Sequence, residues 1–346
     1  MSAPTDAVGT LGPSGGAADV DLAVELAGVR FANPVFTASG CAAAGQELAA
    51  FFDVTALGAV VTKSILSAPR AGRPTPRMAE TPSGMLNSIG LQGPGIDAFL
   101  ARDLPWLVER GATAVVSIAG GTATEFAALA GRLAGAPGVA ALELNISCPN
   151  VEDRGTVFAA RPTAAAAVVA AVRRTAAPDV PVFAKLSPDV TDLVAVARAC
   201  VDAGADGLSL INTLLGLAID TTTLRPVLAG ITGGLSGPAI RPVALRCVWQ
   251  VHAALPGVPI LGMGGIRTGL DALEFLLAGA SAVSVGTAIF GDPTAPVRIL
   301  AELRAALADR GIARVADVVG RAHRPPTLMA PEGPEPPGAE IAVSPR

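Results

Sequence analysis

Tyrosine is absent from the 346 residues, aromatic side chains make up only 3%, and there are two histidines and four cysteines. A chain so poor in rings has no row of stacking platforms for bases. Nor is there a basic excess to neutralise phosphates, since 25 Lys and Arg face 29 Asp and Glu for a formal net charge of −4. Nucleic acid is therefore not an expected partner. His252 falls in a helical pattern and His323 at the start of a Pro-rich tail, so neither is placed for acid–base work. Cys41, Cys148, Cys200 and Cys247 form no C-x-x-C pair, which leaves zinc and iron–sulfur clusters without ligands. No metal site is expected. Long hydrophobic runs are missing as well: no uncharged apolar stretch reaches the ~18 residues of a membrane span. The N-terminal Gly/Ser/Pro-rich segment lacks a charged start followed by an apolar core, so it is not read as a signal peptide. A reduced, cytoplasmic protein is the expectation.

What the chain has in plenty is apolar surface to bury. Hydrophobic residues are 51% and charged residues 16%, with a mean hydropathy of +0.53. That suffices for one large core. Short β-branched runs alternate eight times with Ala/Leu-rich helical patterns. The strands are predicted at 34–38, 59–63, 114–119, 141–146, 182–186, 207–211, 259–262 and 282–286. Helices are predicted between them, for instance at 96–110, 124–134, 163–176, 190–203, 239–254 and 270–278. Near-continuous apolar strands alternating with helices mean a parallel sheet covered on its outer face. Eight such units point to an α/β fold of the (β/α)8 TIM-barrel type, a single domain over 21–320. Residues 1–20 and the Pro/Gly-rich 321–346 are read as flexible ends. The insertion 64–95, rich in Pro, Gly, Ser and Asn, is too long for an ordinary strand-to-helix loop and reads as a lid.

Barrel active sites gather at the C-terminal ends of the strands. Those ends carry Ser39-Gly40, Lys63, Ser117, Asn145 with Cys148, Lys185, Asn212-Thr213, Gly264-Gly265 and Gly286-Thr287. Amides, two lysines and a thiol ending apolar strands are the ingredients of a ligand pocket. The Gly turns after the last two strands suit a barrel phosphate site bound through backbone N–H groups. A dinucleotide fingerprint is excluded there, because ILGMGGIRTG places Arg267 where the third Gly belongs. Taken singly, each feature also has a plainer reading. The Gly pairs could be turns, the lysines solvated strand ends, and Cys200 and Cys247 packing residues. Cys41 lies beside the first strand end and is given no role. Cys148, among turn formers just past a strand, could act as base or nucleophile if its surroundings lower its pKa.

At these residues the chain resembles the dihydroorotate dehydrogenases of class 1, B type. The matching stretches are NPVFTASG (33–40), VVTKS (60–64), TPSGMLNSIGLQGPG (81–95), ELNISCPNV (143–151), AKLSPDVTD (184–192), GADGLSLINT (204–213), TGGLSGPAI (232–240), GMGGI (262–266) and GASAVSVGTA (279–288). The resemblance implies an FMN enzyme oxidising dihydroorotate to orotate in pyrimidine synthesis. It makes Cys148 the general base for the C5 proton. Lys63, Asn87, Ser88, Ile89, Gly90, Leu91, Asn145, Asn212 and Thr213 become substrate contacts. FMN contacts are Ser39, Lys63, Ser64, Ser117, Asn145, Lys185, Ile211, Gly237, Gly264, Gly265, Gly286 and Thr287. It further implies a homodimeric core within a heterotetramer, whose partner subunit carries FAD and a 2Fe–2S cluster and delivers electrons to NAD. Ser117 stands where the family commonly has Asn, CAAAGQEL replaces the usual loop after the first strand, and NVEDRGTVFAARP is poor in Gly. The alternatives are a fumarate-reducing A-type enzyme, a dihydropyrimidine dehydrogenase-like flavoprotein, or a non-catalytic scaffold barrel. GGLSGPAI and LSPDVTD favour the B type, while class 2, which has a Ser base where Cys148 stands and a membrane-binding extension, is disfavoured.

Overall fold

The computed structural model describes residues 20–147, 158 and 161–324. Eight parallel strands form its centre: β1 (Val35–Thr37), β2 (Val60–Val61), β3 (Ala114–Ile118), β4 (Val139–Asn145), β5 (Val182–Leu186), β6 (Gly207–Leu210), β7 (Ile260–Met263) and β8 (Ala282–Val285). They pair in the order β1-β8-β7-β6-β5-β4-β3-β2. A single parallel bridge, Phe36 to Ala59, closes the ring between β1 and β2. Thr37 fastens that seam with its side chain, its Oγ1 accepting from Val61 N at 2.9 Å. The predicted (β/α)8 barrel is thus the observed one, and each of the eight strands falls within its predicted stretch to within two residues.

The strands form because nearly every residue in them is buried on both faces, inward against the barrel interior and outward against the helices. Helix starts are fixed by short polar caps. Thr122 accepts from Glu125 N, Asp192 accepts from Ala195 N, and Thr268 exchanges bonds with Asp271 in a capping box. Asp271 also takes the Arg267 and Thr268 N–H groups at 2.8 and 3.0 Å and pairs with Arg241. That knot ties helix Arg241–Ala254 to helix Gly269–Leu277 and braces the loop after β7.

A second, antiparallel sheet lies outside the barrel order. Its strands run Leu214–Leu217, Thr232–Ser236, Gly84–Asn87 and Met78–Thr81. The insertion expected as a loop-like lid therefore contains a hairpin, and the segment after β6 completes it. Close backbone approach is what the glycines supply: a Cβ on Gly234 would overlap the Thr213 side chain. No described helix is long and apolar enough to cross a membrane.

Candidate active site

The strand ends and the small sheet enclose a cavity of about 1480 Å³. Its wall contains Ser39, Lys63, Ser64, Asn87, Ile89, Gly90, Leu91, Asn145, Lys185, Ile211, Asn212, Thr213, Gly237, Gly264, Gly265, Gly286 and Thr287. Two of the expected residues stand behind it instead. Ser117 is fully buried, and its Oγ lies 3.0 Å from Ser64 Oγ, so it supports Ser64 rather than reaching the cavity. Ser88 is likewise buried, with Ile89 and Asn87 forming the wall on either side. Cys148 and the loop that follows it lie outside the described residues.

A continuous polar chain crosses the cavity floor. Asn145 Nδ2 donates to Ser64 Oγ at 2.9 Å, while Asn145 Oδ1 accepts from Asn212 Nδ2 at 3.2 Å. Asn212 Nδ2 spends its other hydrogen on Ser147 Oγ at 2.9 Å, and its Oδ1 accepts from Thr213 N at 2.8 Å. Counting capacity among the described residues, Asn212 retains one lone pair, and Asn145 retains one N–H and one lone pair. Both amides are therefore held in fixed orientations, with a donor and acceptors to spare for a planar ligand edge.

Lys185 rises from β5, only 4% exposed, and its Nζ donates to Ser39 Oγ at 3.0 Å. On its inner side stands the fully buried Glu143, with Oε1 3.5 Å from the ammonium. Glu143 was no part of the sequence-derived site. The only signal was its place two residues before Asn145, which puts both on one face of β4.

Glycine backbone supplies another wall. Gly265 has φ +79°, and a Cβ there would sit 2.7 Å from Gly237 O and 2.9 Å from Arg241 Cβ. Across from it, Thr287 Oγ1 donates to Ser236 Oγ at 2.7 Å, joining the β8 end to the small sheet. The lid loop is also bent into place: Gly90 and Leu91 both have positive φ, 73° and 55°. For Leu91 the left-handed conformation costs on the order of 1–2 kcal/mol, yet it lays the side chain, 6% exposed, against the cavity.

Cys41 also reaches the wall. Burial pushes its thiol up to about 11, against the opposing pull of Lys185 and Lys63. At neutral pH it is a neutral thiol and has no capacity as a base.

A parallel barrel carrying a buried lysine, glycine turns after its last two strands and fixed amides at one rim defines an α/β-barrel enzyme. The comparisons give its family. The family model described as Dihydroorotate dehydrogenase matches residues 21–307, and the chain belongs to that family. A Pelobacter propionicus protein named "Dihydroorotate dehydrogenase B (NAD(+)), catalytic subunit" is 56% identical over 300 residues, 87% of this chain and 98% of its own length. One of the same name from Geobacillus kaustophilus is 52% identical over 303 residues, 88% of this chain and 96% of its own length. Among solved structures, DHODH from Eimeria tenella in complex with ferulenol aligns with TM-score 0.74 at 26% identity, covering 89% of this chain and 90% of that one. The B-type resemblance read from the sequence motifs is borne out by these relatives.

Proposed function

We propose that this chain is a cytoplasmic flavoenzyme oxidising (S)-dihydroorotate to orotate in pyrimidine synthesis. The observation that carries the reading is the meeting, in one cavity, of a buried ammonium, a glycine wall and the Asn145–Asn212 amide pair. The donor set fits FMN. The Gly264-Gly265 and Gly286-Thr287 turns offer backbone N–H groups suited to a phosphate. Lys185 offers the positive charge that a reduced isoalloxazine calls for. At about 1480 Å³ the cavity exceeds the ~300–1,000 Å³ typical of a single small ligand, which leaves room for a second planar ring beside the flavin.

FMN, when bound, supplies the hydride acceptor for C6 of dihydroorotate. The chain's own residues do the rest. Asn145 and Asn212 present a spare donor and acceptors to the alternating edge of the pyrimidinedione ring. Asn87 to Leu91 close over the ring and exclude water. Cys148, taken from the family resemblance, removes the C5 proton onto Sγ. Ser117 and Ser64 keep the Asn145 amide from rotating.

Electrons then leave for NAD through a partner subunit bearing FAD and a 2Fe–2S cluster, within a heterotetramer built on a dimer of this chain. The B-type relatives support the NAD acceptor and the need for another subunit, since their names contain both "NAD(+)" and "catalytic subunit". A fumarate-reducing enzyme would need no such partner.

The test is anaerobic addition of dihydroorotate to the purified chain while the visible flavin absorbance is followed. Bleaching is the expected result. A yellow protein that dihydroorotate fails to bleach would move the substrate to another dihydropyrimidine, and a colourless protein taking up no FMN would overturn the reading.

A further inference from the structure

Glu143 is anomalous for a barrel interior. It is fully buried on β4, and among the described residues neither carboxylate oxygen has a hydrogen-bond partner. Leaving a carboxylate so poorly solvated is costly. Among the described residues its one ion pair is with Lys185, at 3.5 Å. Stability alone does not call for this arrangement, because a buried pair is commonly no better for a fold than two apolar side chains of the same volume. Placement gives it another use. Glu143 and Asn145 share a face of β4, Asn145 is paired in register with Lys185 on β5, and Lys185 reaches the cavity while Glu143 stands one layer beneath. Whatever field Lys185 exerts on a cavity ligand, Glu143 opposes from slightly farther away, with little solvent between them to screen it.

Resting on the flavin reading above, we propose that Glu143 is a positioning residue that sets the flavin's reduction potential. It anchors the Lys185 ammonium from below while Ser39 holds it from the side, and its negative charge partly offsets the attraction of Lys185 for reduced flavin. The enzyme thereby keeps a flavin that dihydroorotate can reduce but that still releases its electrons onward.

The test is a dye-referenced redox titration of the FMN-loaded protein, which requires no turnover. Glu143→Gln removes the offsetting charge with little change of shape. At a fixed poise its ratio of reduced to oxidised flavin should rise at least tenfold, a shift of about 30 mV for a two-electron couple. Glu143→Asp, which keeps the charge, should stay near the wild type. A Glu143→Gln ratio of reduced to oxidised flavin within threefold of the wild type's at the same poise would overturn the proposal while leaving the flavin reading intact if dihydroorotate still bleaches the wild type. Absence of FMN uptake by the wild type would remove both together. Should Glu143→Gln not fold, Lys185→Met and Lys185→Met/Glu143→Gln replace it. The double variant should hold reduced flavin at least threefold better than Lys185→Met, and equal potentials would refute the idea.

Discussion

Removing Lys185 should unfold the apoprotein at a lower temperature, and removing Glu143 as well should restore much of the loss. In Lys185→Met the carboxylate of Glu143, 0% exposed, loses the only cation within ion-pair distance among the described residues. Breaking one side of a buried pair costs about 3–5 kcal/mol, because the remaining charge is left without compensation. For a domain of this size a kilocalorie moves the melting temperature by roughly 2 °C, so a fall of roughly 6–10 °C is expected. The double variant Lys185→Met/Glu143→Gln carries no net buried charge. Replacing both partners is close to neutral, so most of the fall should be recovered, leaving a deficit of roughly 1–2 kcal/mol for the lost Ser39 bond. The assay is differential scanning calorimetry of FMN-free protein for the wild type, both single variants and the double. A Lys185→Met midpoint equal to the wild type would refute the claim that the pair is electrostatically coupled. So would a double variant no better than the single.

Cys148→Ala should retain FMN and bind orotate yet lose about 100-fold or more in turnover at neutral pH, as removal of a general base does; steady-state rates beside orotate titration of the flavin spectrum decide this. Gly265→Ala forces a Cβ to within 2.7 Å of Gly237 O at a φ of +79°, so FMN retention through a desalting column should fall sharply and stability by about 1–2 kcal/mol. Asn212→Ala should raise KM for dihydroorotate more than it lowers flavin content, and the reverse pattern would assign Asn212 to the cofactor instead. The Cys41 thiol, raised by burial from 9.0 to about 11, stays protonated in the fold where the unfolded chain has already lost its proton. Its contribution is complete below pH 9 and lost by pH 11, with a slope of at most about 1.4 kcal/mol per pH unit. Urea midpoints of apo Cys41→Ala should therefore fall less steeply over that window, and identical slopes would count against the assignment.

The barrel was legible because its signals are local. A run such as Val182–Leu186 is apolar on both sides and ends in polar residues, and both facts survive in one dimension. Helix ends were legible through the glycines that follow them, as at Gly111 and Gly204, both of positive φ. The small sheet was not, for a different reason. Thr232–Ser236 and Gly84–Asn87 are short and glycine-bearing, and besides their nearby partners Leu214–Leu217 and Met78–Thr81 they pair with each other across more than a hundred residues. Neither alternates strongly enough to declare itself, and the four-stranded sheet exists only once the two meet. Strand ends alone placed Ser39, Lys63, Asn145, Lys185, Asn212 and the glycine turns, all of which the fold brings to one cavity. Ser88 and Ser117 needed the third dimension, because a position next to a wall residue does not say which side of the wall it takes. Glu143 was hidden by the same limit. In sequence it is one acidic residue within an apolar strand, and only register shows that it stands beneath an ammonium.

The cover over the cavity is knitted from two loops, one following β2 and one following β6, through the Gly234–Asn87, Leu235–Leu86 and Ser236–Met85 register. Neither loop is an independent module. Exchanging one of them between two homologues would strand its edge against a mismatched neighbour, so chimaeras that re-tune substrate choice need crossovers that carry both segments from the same parent.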